Sequence, residues 1–322
     1  MPRIRSTLLK AFGLLLALTM AAAAQDYPTR PLRLLLPFSP GGSVDIVARI
    51  VANKLGERLG KQVVVDNRPG AGGIIATELA ANAPPDGHTL LLVSLAHAVN
   101  PWIYKVSYDP IKAFAFVATL GNGASVLTVH PSVAANSVQE LIALAKSKPG
   151  QLHIAHAGIG SFTHTASVLF AMTAGIDIGQ VPFKGGGPAM LDVIGGHSQL
   201  LLNSLVASTP HVRSGKLRAL GVSDTKRSAL LPDVPTIAEA GVPGYQAANW
   251  WGIAAPAGTP RPIIEKLHKE ITAVLNSDEL KKQFASDGAV VVQMGPAEFT
   301  KFFEAELEKW GRVVKQANIK AE

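Results

Sequence analysis

Residues 32–45, LRLLLPFSPGGSVD, decide how the fold begins. The first five of these residues are almost continuously apolar and stop at Pro37, which is typical of a strand buried on both faces of a sheet. A glycine-rich turn follows, and from residue 44 to residue 59 the apolar side chains recur at helical spacing. A buried strand, a glycine turn and an amphipathic helix predict the first unit of an α/β fold with a parallel sheet.

The same order of segments recurs along the chain. Further strands are predicted at residues 63–65, 89–93, 125–129, 152–156, 180–183, 199–203 and 218–222. Helices are predicted at residues 74–81, 137–146, 163–174, 188–194, 262–275 and 298–314. Strands that alternate with helices imply right-handed crossovers. The pattern predicts an α/β protein of two lobes, each of ordinary domain size.

Two stretches are candidates for the junctions between the lobes. The first is Gly121-Asn122-Gly123, which consists of turn-forming residues, and the second is residues 244–249, which begin with Gly244 and end with Asn249. If both are junctions, residues 25–123 and 249–322 form lobe I, and residues 124–248 form lobe II. The chain then crosses twice between the lobes, which predicts a hinge with a central ligand cleft at the carboxyl ends of the strands.

The N-terminus has the features of a secretory signal peptide. Arg3, Arg5 and Lys10 precede an apolar stretch at residues 11–20, and Ala22-Ala23-Ala24 fits the small-residue cleavage rule. Residues 1–24 are therefore predicted to be removed on export to the periplasm, with an uncleaved membrane anchor as the alternative. The apolar stretch is shorter than the roughly 20 residues that a membrane helix needs.

Composition excludes several classes of function. The 322 residues include 30 Lys and Arg against 23 Asp and Glu, and loss of the three N-terminal cations would lower the formal charge from +7 to +4. That mild excess does not indicate a nucleic-acid partner. The absence of Cys excludes disulfides, iron–sulfur clusters, Cys-ligated zinc and a Cys nucleophile. The nine His residues are dispersed without a metal-binding motif, so no metal is predicted.

Four glycine-rich clusters lie where a predicted strand passes into a predicted helix, at residues 37–45, 67–73, 158–164 and 182–188. Glycine there lets backbone N–H groups approach a ligand, and a helix N-terminus favours an anion. Each cluster taken alone could be a simple loop, but four equivalent ones predict a site that holds a carboxylate without arginine. None fits the phosphate-binding or dinucleotide-binding patterns, so no nucleotide cofactor is expected.

Three polar residues of these clusters allow alternative interpretations. Ser161 and His164 could act as the nucleophile and base of an exported hydrolase. However, Ser161 has no G-x-S-x-G elbow, and His164 lies only about one helical turn away, whereas a hydrolase needs a distant His and acid, which favours a helix cap. Asp45 could cap a helix, or it could bind an ammonium group or a water.

Several motifs resemble those of one known family. They are residues 27–31 (YPTRP), 37–49, 67–73 (NRPGAGG), 85–90 (PDGHTL), 182–189 (PFKGGGPA), 231–245 and 255–260. Together they resemble the Bug proteins, the TctC-like solute-binding components of tripartite tricarboxylate transporters, in order over the whole mature chain. One departure is Phe183, where the family usually has a tyrosine, so that a possible hydroxyl is missing.

The resemblance implies a type II periplasmic-binding-protein fold with a Venus-flytrap cleft, and a receptor rather than an enzyme. It implies a small organic carboxylate ligand and membrane permease subunits as partners. We also expect a monomer that binds no cofactor and no metal. A periplasmic sensor remains an alternative role. The predicted ligand-binding residues are Ser39, Gly41, Gly42, Ser43, Asp45, Gly70, Ala71, Gly72, Gly73, Ser94, His97, Gly160, Ser161, Thr163, His164, Lys184, Gly185, Gly186, Asn203 and Ser204. For His97, a structural role remains open.

Overall fold

The structure is a computed structural model, and it describes residues 27–321. The predicted signal peptide, residues 1–24, lies outside the described residues. Ten strands are present: β1 Leu32–Leu36, β2 Val63–Asn67, β3 Thr89–Ser94, β4 Phe114–Val129, β5 His153–His156, β6 Gly179–Pro182, β7 Leu200–Ser204, β8 Arg218–Val222, β9 Ala248–Pro256 and β10 Ala289–Val290, counted over residues 27–321.

Helices cover both faces of the strands, as an α/β fold requires. Within the same residues, the α-helices are α1 Ser43–Leu59, α2 Ile74–Ala81, α3 Leu95–Ile103, α4 Val138–Ser147, α5 Phe162–Ala174, α6 Gly186–Ile194, α7 Leu205–Arg213, α8 Arg261–Asn276, α9 Asp278–Asp287 and α10 Pro296–Gln316. A short 3-10 turn, Ala71–Gly73, precedes α2.

The strand order is β2-β1-β3-β9-β4-β7-β5-β6, with β8 and β10 also paired to β4. The predicted parallel pairing is confirmed at both ends of this order, where β1 pairs with β2 and β3, and β5 pairs with β6 and β7. Strands β4 and β9 run antiparallel to their neighbours. The two parallel groups are therefore joined by an antiparallel pair.

Strand β4 is the element that connects the two groups. It pairs with β9 over residues 114–124, and with β7 and β8 over residues 125–129. The predicted junctions, at residues 121–123 and 244–249, thus lie in or beside these two long strands. The change of partners at Ala124 supports the proposed division into residues 25–123 with 249–322 and residues 124–248, which stays a prediction.

Gly121 and Gly123 lie within β4, not in a turn. A Cβ on Gly123 would stand 2.7 Å from the ring of Trp251, and one on Gly121 would collide with the carbonyl oxygen of Val290. Close packing against neighbouring elements therefore explains these two glycines, although by composition they predict a turn.

The longest buried helix face belongs to α10. Phe299, Phe303 and Trp310 are buried as their spacing predicts, while Phe302 and Leu307 are half-buried. Glu306 lies on the same face, and its Oε2 accepts hydrogen bonds from Nε1 of both Trp250 and Trp310, each at 3.0 Å. One carboxylate thus fastens α10 to strand β9.

Replacing Glu306 with Gln should lower the free energy of unfolding by about 1–3 kcal/mol, because both buried indole N–H groups would lose their charged acceptor. Urea titration at neutral pH would measure this change. Glu308 is exposed on the same helix, and Glu308→Gln is the matched control, for which we expect almost no effect. Equal stabilities of the two variants would contradict the role assigned to Glu306.

No helix within residues 27–321 combines the length and apolarity that a membrane crossing requires.

Candidate ligand-binding cleft

The four glycine clusters meet in two pairs. In the first pair, the backbone N–H of Ser39 donates to the carbonyl of Lys184 at 2.9 Å. In the second pair, Gly72 packs against Ile159, and the hydroxyl of Tyr104 donates to the Ile159 carbonyl at 3.2 Å. Each pair joins a turn from residues 25–123 to a turn from residues 124–248, so the two halves of the protein touch on both sides of the cleft.

Two of these glycines show why larger residues are excluded. Gly72 has φ +62°, a left-handed conformation that favours glycine, and a Cβ there would meet the carbonyl oxygen of Ile159. Gly187 is the second residue of helix α6, where a side chain normally fits, yet a Cβ at this position would meet the carbonyl oxygen of Pro40. In both cases the obstacle is backbone from the opposite half.

A small cavity lies between the paired turns. The volume that the centre of a water molecule can reach there is about 30 Å³, far below the roughly 300–1,000 Å³ of typical ligand sites. A ligand can therefore enter only if the paired turns separate. The lining residues are Phe38, Gly42, Ser43, Val44, Ser94, Ala157, Ser161, Phe162, Thr163, Gly186, Asn203 and Asn249.

The beginnings of four helices converge on this cavity. Ser43 is the first residue of α1, Ser94 precedes α3, Phe162 is the first residue of α5 and Gly186 is the first residue of α6. The first N–H groups of a helix have no partner within that helix, and the helix dipole adds positive potential. None of the twelve lining residues is Lys or Arg. The cavity can therefore attract an anion through backbone donors alone.

Asp45 links the first two glycine turns. Its carboxylate accepts the N–H of Gly41 at 3.1 Å and the Nδ2 of Asn67 at 3.1 Å, and it pairs with Arg49 at 2.8 Å. Burial disfavours its charge, but the hydrogen bonds from Arg49, Gly41 and Asn67 outweigh that effect and lower the pKa of Asp45. These contacts support a structural role, since the carboxylate already has three partners within the protein.

The third turn is held by its own side chains. Ser161 Oγ accepts the backbone N–H of His164 at 3.2 Å, which is the helix cap that the sequence favours. Thr163 Oγ1 accepts the N–H of Ala157 at 2.8 Å. The ring Nδ1 of His164 accepts the N–H of Gly160 at 3.3 Å, and burial lowers its pKa to about 4. Ser161 and His164 are thus engaged in holding the turn and not in a catalytic pair.

The remaining predicted residues take different places. Gly72, Gly73, Ser94 and His97 line a second, smaller space of about 10 Å³ beside the first cavity. The ring of His97 also packs against Phe114 and Phe303, and its Nε2 bonds to the carbonyl oxygen of Pro110 at 2.9 Å. That arrangement supports its structural interpretation.

Other predicted residues lie around the cleft without lining the first cavity. Ala71 and the side chain of Lys184 are exposed, Gly70 is half-buried and caps the 3-10 turn, and Gly185 packs against Ser39. Ser204 is buried and occupies the N-cap position of α7 without a capping hydrogen bond from its side chain. The ligand contacts of all twenty predicted residues remain predictions.

Asn249 is a cavity residue that the sequence prediction missed. It lies on β9 opposite Gly123 of β4 and is 3% exposed. It is the last residue of the stretch 244–249, which the sequence predicts only as a junction. The pairing of β9 with its neighbouring strands places it beside the cavity. No metal site accompanies these residues, since no suitable group of His, Asp and Glu exists within residues 27–321.

The fold and the cleft define a solute-binding protein. Residues 47–319 match the model of the tripartite tricarboxylate transporter family receptor, TctC. The chain belongs to this family, whose members are periplasmic solute receptors and not enzymes, so the predicted family, fold class and receptor function are confirmed. The hydrolase alternative is thereby wrong, in agreement with the cap geometry of Ser161.

Individual relatives agree along their whole length. The chain is 38% identical to the protein BugT of Bordetella pertussis over 97% of this chain and 98% of BugT. Its structure is similar to Rpa4515 of R. palustris with adipate (36% identity, TM-score 0.89, covering 92% of this chain and 100% of the other). It is also similar to MatC of Rhodopseudomonas palustris with bound malate (32% identity, TM-score 0.85, covering 89% of this chain and 100% of the other).

Proposed function

We propose that this protein captures a small organic carboxylate between the four glycine turns. The observation that carries the proposal is the convergence of four helix beginnings on a cavity that no Lys or Arg lines. Helix N-termini supply directed donors, and charge-assisted hydrogen bonds to a carboxylate are worth about 1.5–3 kcal/mol each. The adipate and malate bound by two relatives are ligands of this chemical class.

Capture works by separation and closure of the two halves about strands β4 and β9. With the halves apart, the ligand reaches the helix beginnings of one half. Closure then restores the contacts that the structure shows, including the bond from Ser39 to the Lys184 carbonyl, and encloses the ligand. Since the turn pairs contain donors from both halves, the ligand stabilises the closed arrangement by contacting both at once.

Family membership supports the cellular setting that we include in this proposal. Residues 1–24 direct export, the mature monomer acts in the periplasm, and the closed form is delivered to the membrane subunits of a tripartite tricarboxylate transporter. The low charge of the mature chain supports a role without nucleic acid. The buried polar residues of the cleft support binding in a dry site.

A panel of carboxylates should reveal the ligand by thermal shift. At a hundredfold excess over Kd, binding stabilises the folded state by about 2.7 kcal/mol, which corresponds to a rise of about 5 °C in Tm for a chain of this size. Succinate, malate, adipate, citrate and glutamate would be tested at neutral pH, with succinamide as the uncharged control. A flat response to the whole panel would contradict the proposal.

A further inference from the structure

One side-chain amide that lines the cavity has an oxygen without a hydrogen-bond partner among the described residues. This oxygen is the buried Oδ1 of Asn249. Asn203 makes the contrast clear, because its Oδ1 accepts the N–H of Ser204 at 2.9 Å and its Nδ2 donates to the carbonyl of Gly186 at 3.4 Å. Both amides line the same cavity, but only the amide of Asn203 forms hydrogen bonds with other groups of the protein.

An unpaired buried amide is costly. A buried acceptor without a donor forfeits its hydrogen bonds to water, so such groups are rare and require a specific reason. Asn249 is only 3% exposed, and it borders the space where the ligand is proposed to lie. A ligand group that pairs with this amide would recover the loss on binding.

The ligand group that pairs with the Asn249 amide must be able to donate a hydrogen bond. The helix beginnings already supply donors, which is what a carboxylate needs, whereas Asn249 adds an acceptor that a carboxylate cannot satisfy. A hydroxyl both donates and accepts. It can therefore pair with the amide oxygen and also receive a bond from the amide nitrogen or from a neighbouring donor.

We propose that Asn249 is a specificity-determining residue that hydrogen-bonds a hydroxyl group on the carboxylate ligand, so that the protein prefers hydroxycarboxylates. This inference rests on the proposed function. It assigns different tasks to the two amides: Asn203 positions the turn around Gly186, and Asn249 distinguishes a hydroxylated ligand from its deoxy counterpart.

Three matched pairs of ligands provide the test: malate with succinate, citrate with tricarballylate, and lactate with propionate. Calorimetric titration of the wild-type protein should show tighter binding of the hydroxylated member in at least one pair. In Asn249→Leu, which removes the amide at similar size, that preference should fall about tenfold while the affinity for the deoxy member changes little. Asn249→Ser, which keeps a small polar group, should restore part of the preference.

The outcomes separate this inference from the function on which it rests. If the wild-type protein binds neither these six acids nor adipate and glutamate, the proposed function fails, and if it binds adipate or glutamate but none of the six acids, the inference alone is overturned. If it binds them without favouring the hydroxylated member, or if Asn249→Leu keeps the preference, the inference alone is overturned. Asn203→Leu is the comparator for a positioning role, and it should weaken both members of a pair alike. The same pattern in Asn249→Leu would also overturn the inference.

Discussion

Lowering the pH from 7.5 to 5 is expected to remove about 6 kcal/mol from the free energy of unfolding of the ligand-free protein. Three histidines are the cause, because His97, His156 and His164 are buried in their neutral form. Burial lowers the pKa of His97 to about 4, although the hydrogen bond to the Pro110 carbonyl raises it. Burial, together with the neighbouring His164, lowers the pKa of His156 to about 3.

The sign of the effect follows from the unfolded chain. There each imidazole takes up a proton near its ordinary pKa of about 6.5, while the folded protein keeps these three neutral. Their contribution is therefore complete above pH 6.5 and is lost as the pH falls toward their folded pKa values. At pH 5 each histidine has lowered the free energy of unfolding by about 2 kcal/mol. The sum over the three is a large part of the total stability of an ordinary domain.

Urea unfolding at a series of pH values between 5 and 7.5 measures this slope, which should approach about 4 kcal/mol per pH unit for three protons. In His97→Phe, which keeps an aromatic ring beside Phe114 and Phe303, the slope should fall by about one third. An unchanged slope in that variant would show that His97 is not a source of the acid sensitivity.

The same protonation would affect the cleft. The Nδ1 atoms of His156 and His164 accept the N–H groups of Gly158 and Gly160, so both rings must offer an unprotonated Nδ1 to hold the third glycine turn. Their rings are also neighbours, with centroids 4.6 Å apart. Two adjacent neutral histidines thus connect acid stability with the shape of the binding site.

Local sequence signals sufficed where each element satisfies its own preferences. The buried strand β1, the helix α2 and the strand β8 were predicted with their observed bounds, since apolar runs and helical spacing there agree with the tertiary environment. The four glycine turns were also located correctly at strand-to-helix transitions, because glycine is required wherever backbone must approach backbone.

The errors arise where distant contacts override local preference. Helices α3 and α7 contain Pro101 and Pro210, which disfavour a helical prediction, and neither helix was predicted. The first half of β4 was missed because its glycines suggest a turn, whereas packing against Trp251 explains Gly123. Asn249 was missed for a similar reason, because the pairing of β9 with β4 and β3, which no local signal predicts, places it beside the cavity.

Gly187→Ala should weaken ligand binding by about a hundredfold while leaving the fold intact, since overpacking a tight contact costs about 1–3 kcal/mol. Gly187 is the second residue of helix α6 and does not have a left-handed backbone, so alanine fits the helix itself. The new Cβ, however, would meet the carbonyl oxygen of Pro40 and would stand 3.2 Å from the Cα of Gly41. Backbone cannot move aside as a flexible side chain can, so the halves could no longer close fully.

Titration calorimetry with the ligand found by thermal shift measures the affinity, and urea unfolding measures the stability. Gly195→Ala, at the other end of α6, is the matched control, because its Cβ meets the ring of His197 at 3.2 Å and no residue of the opposite half. Wild-type affinity in Gly187→Ala would mean that the contact between Pro40 and Gly187 is no part of the ligand-bound state. Loss of affinity with stability retained would separate closure from folding, because the substitution opposes only the contact that joins the two halves.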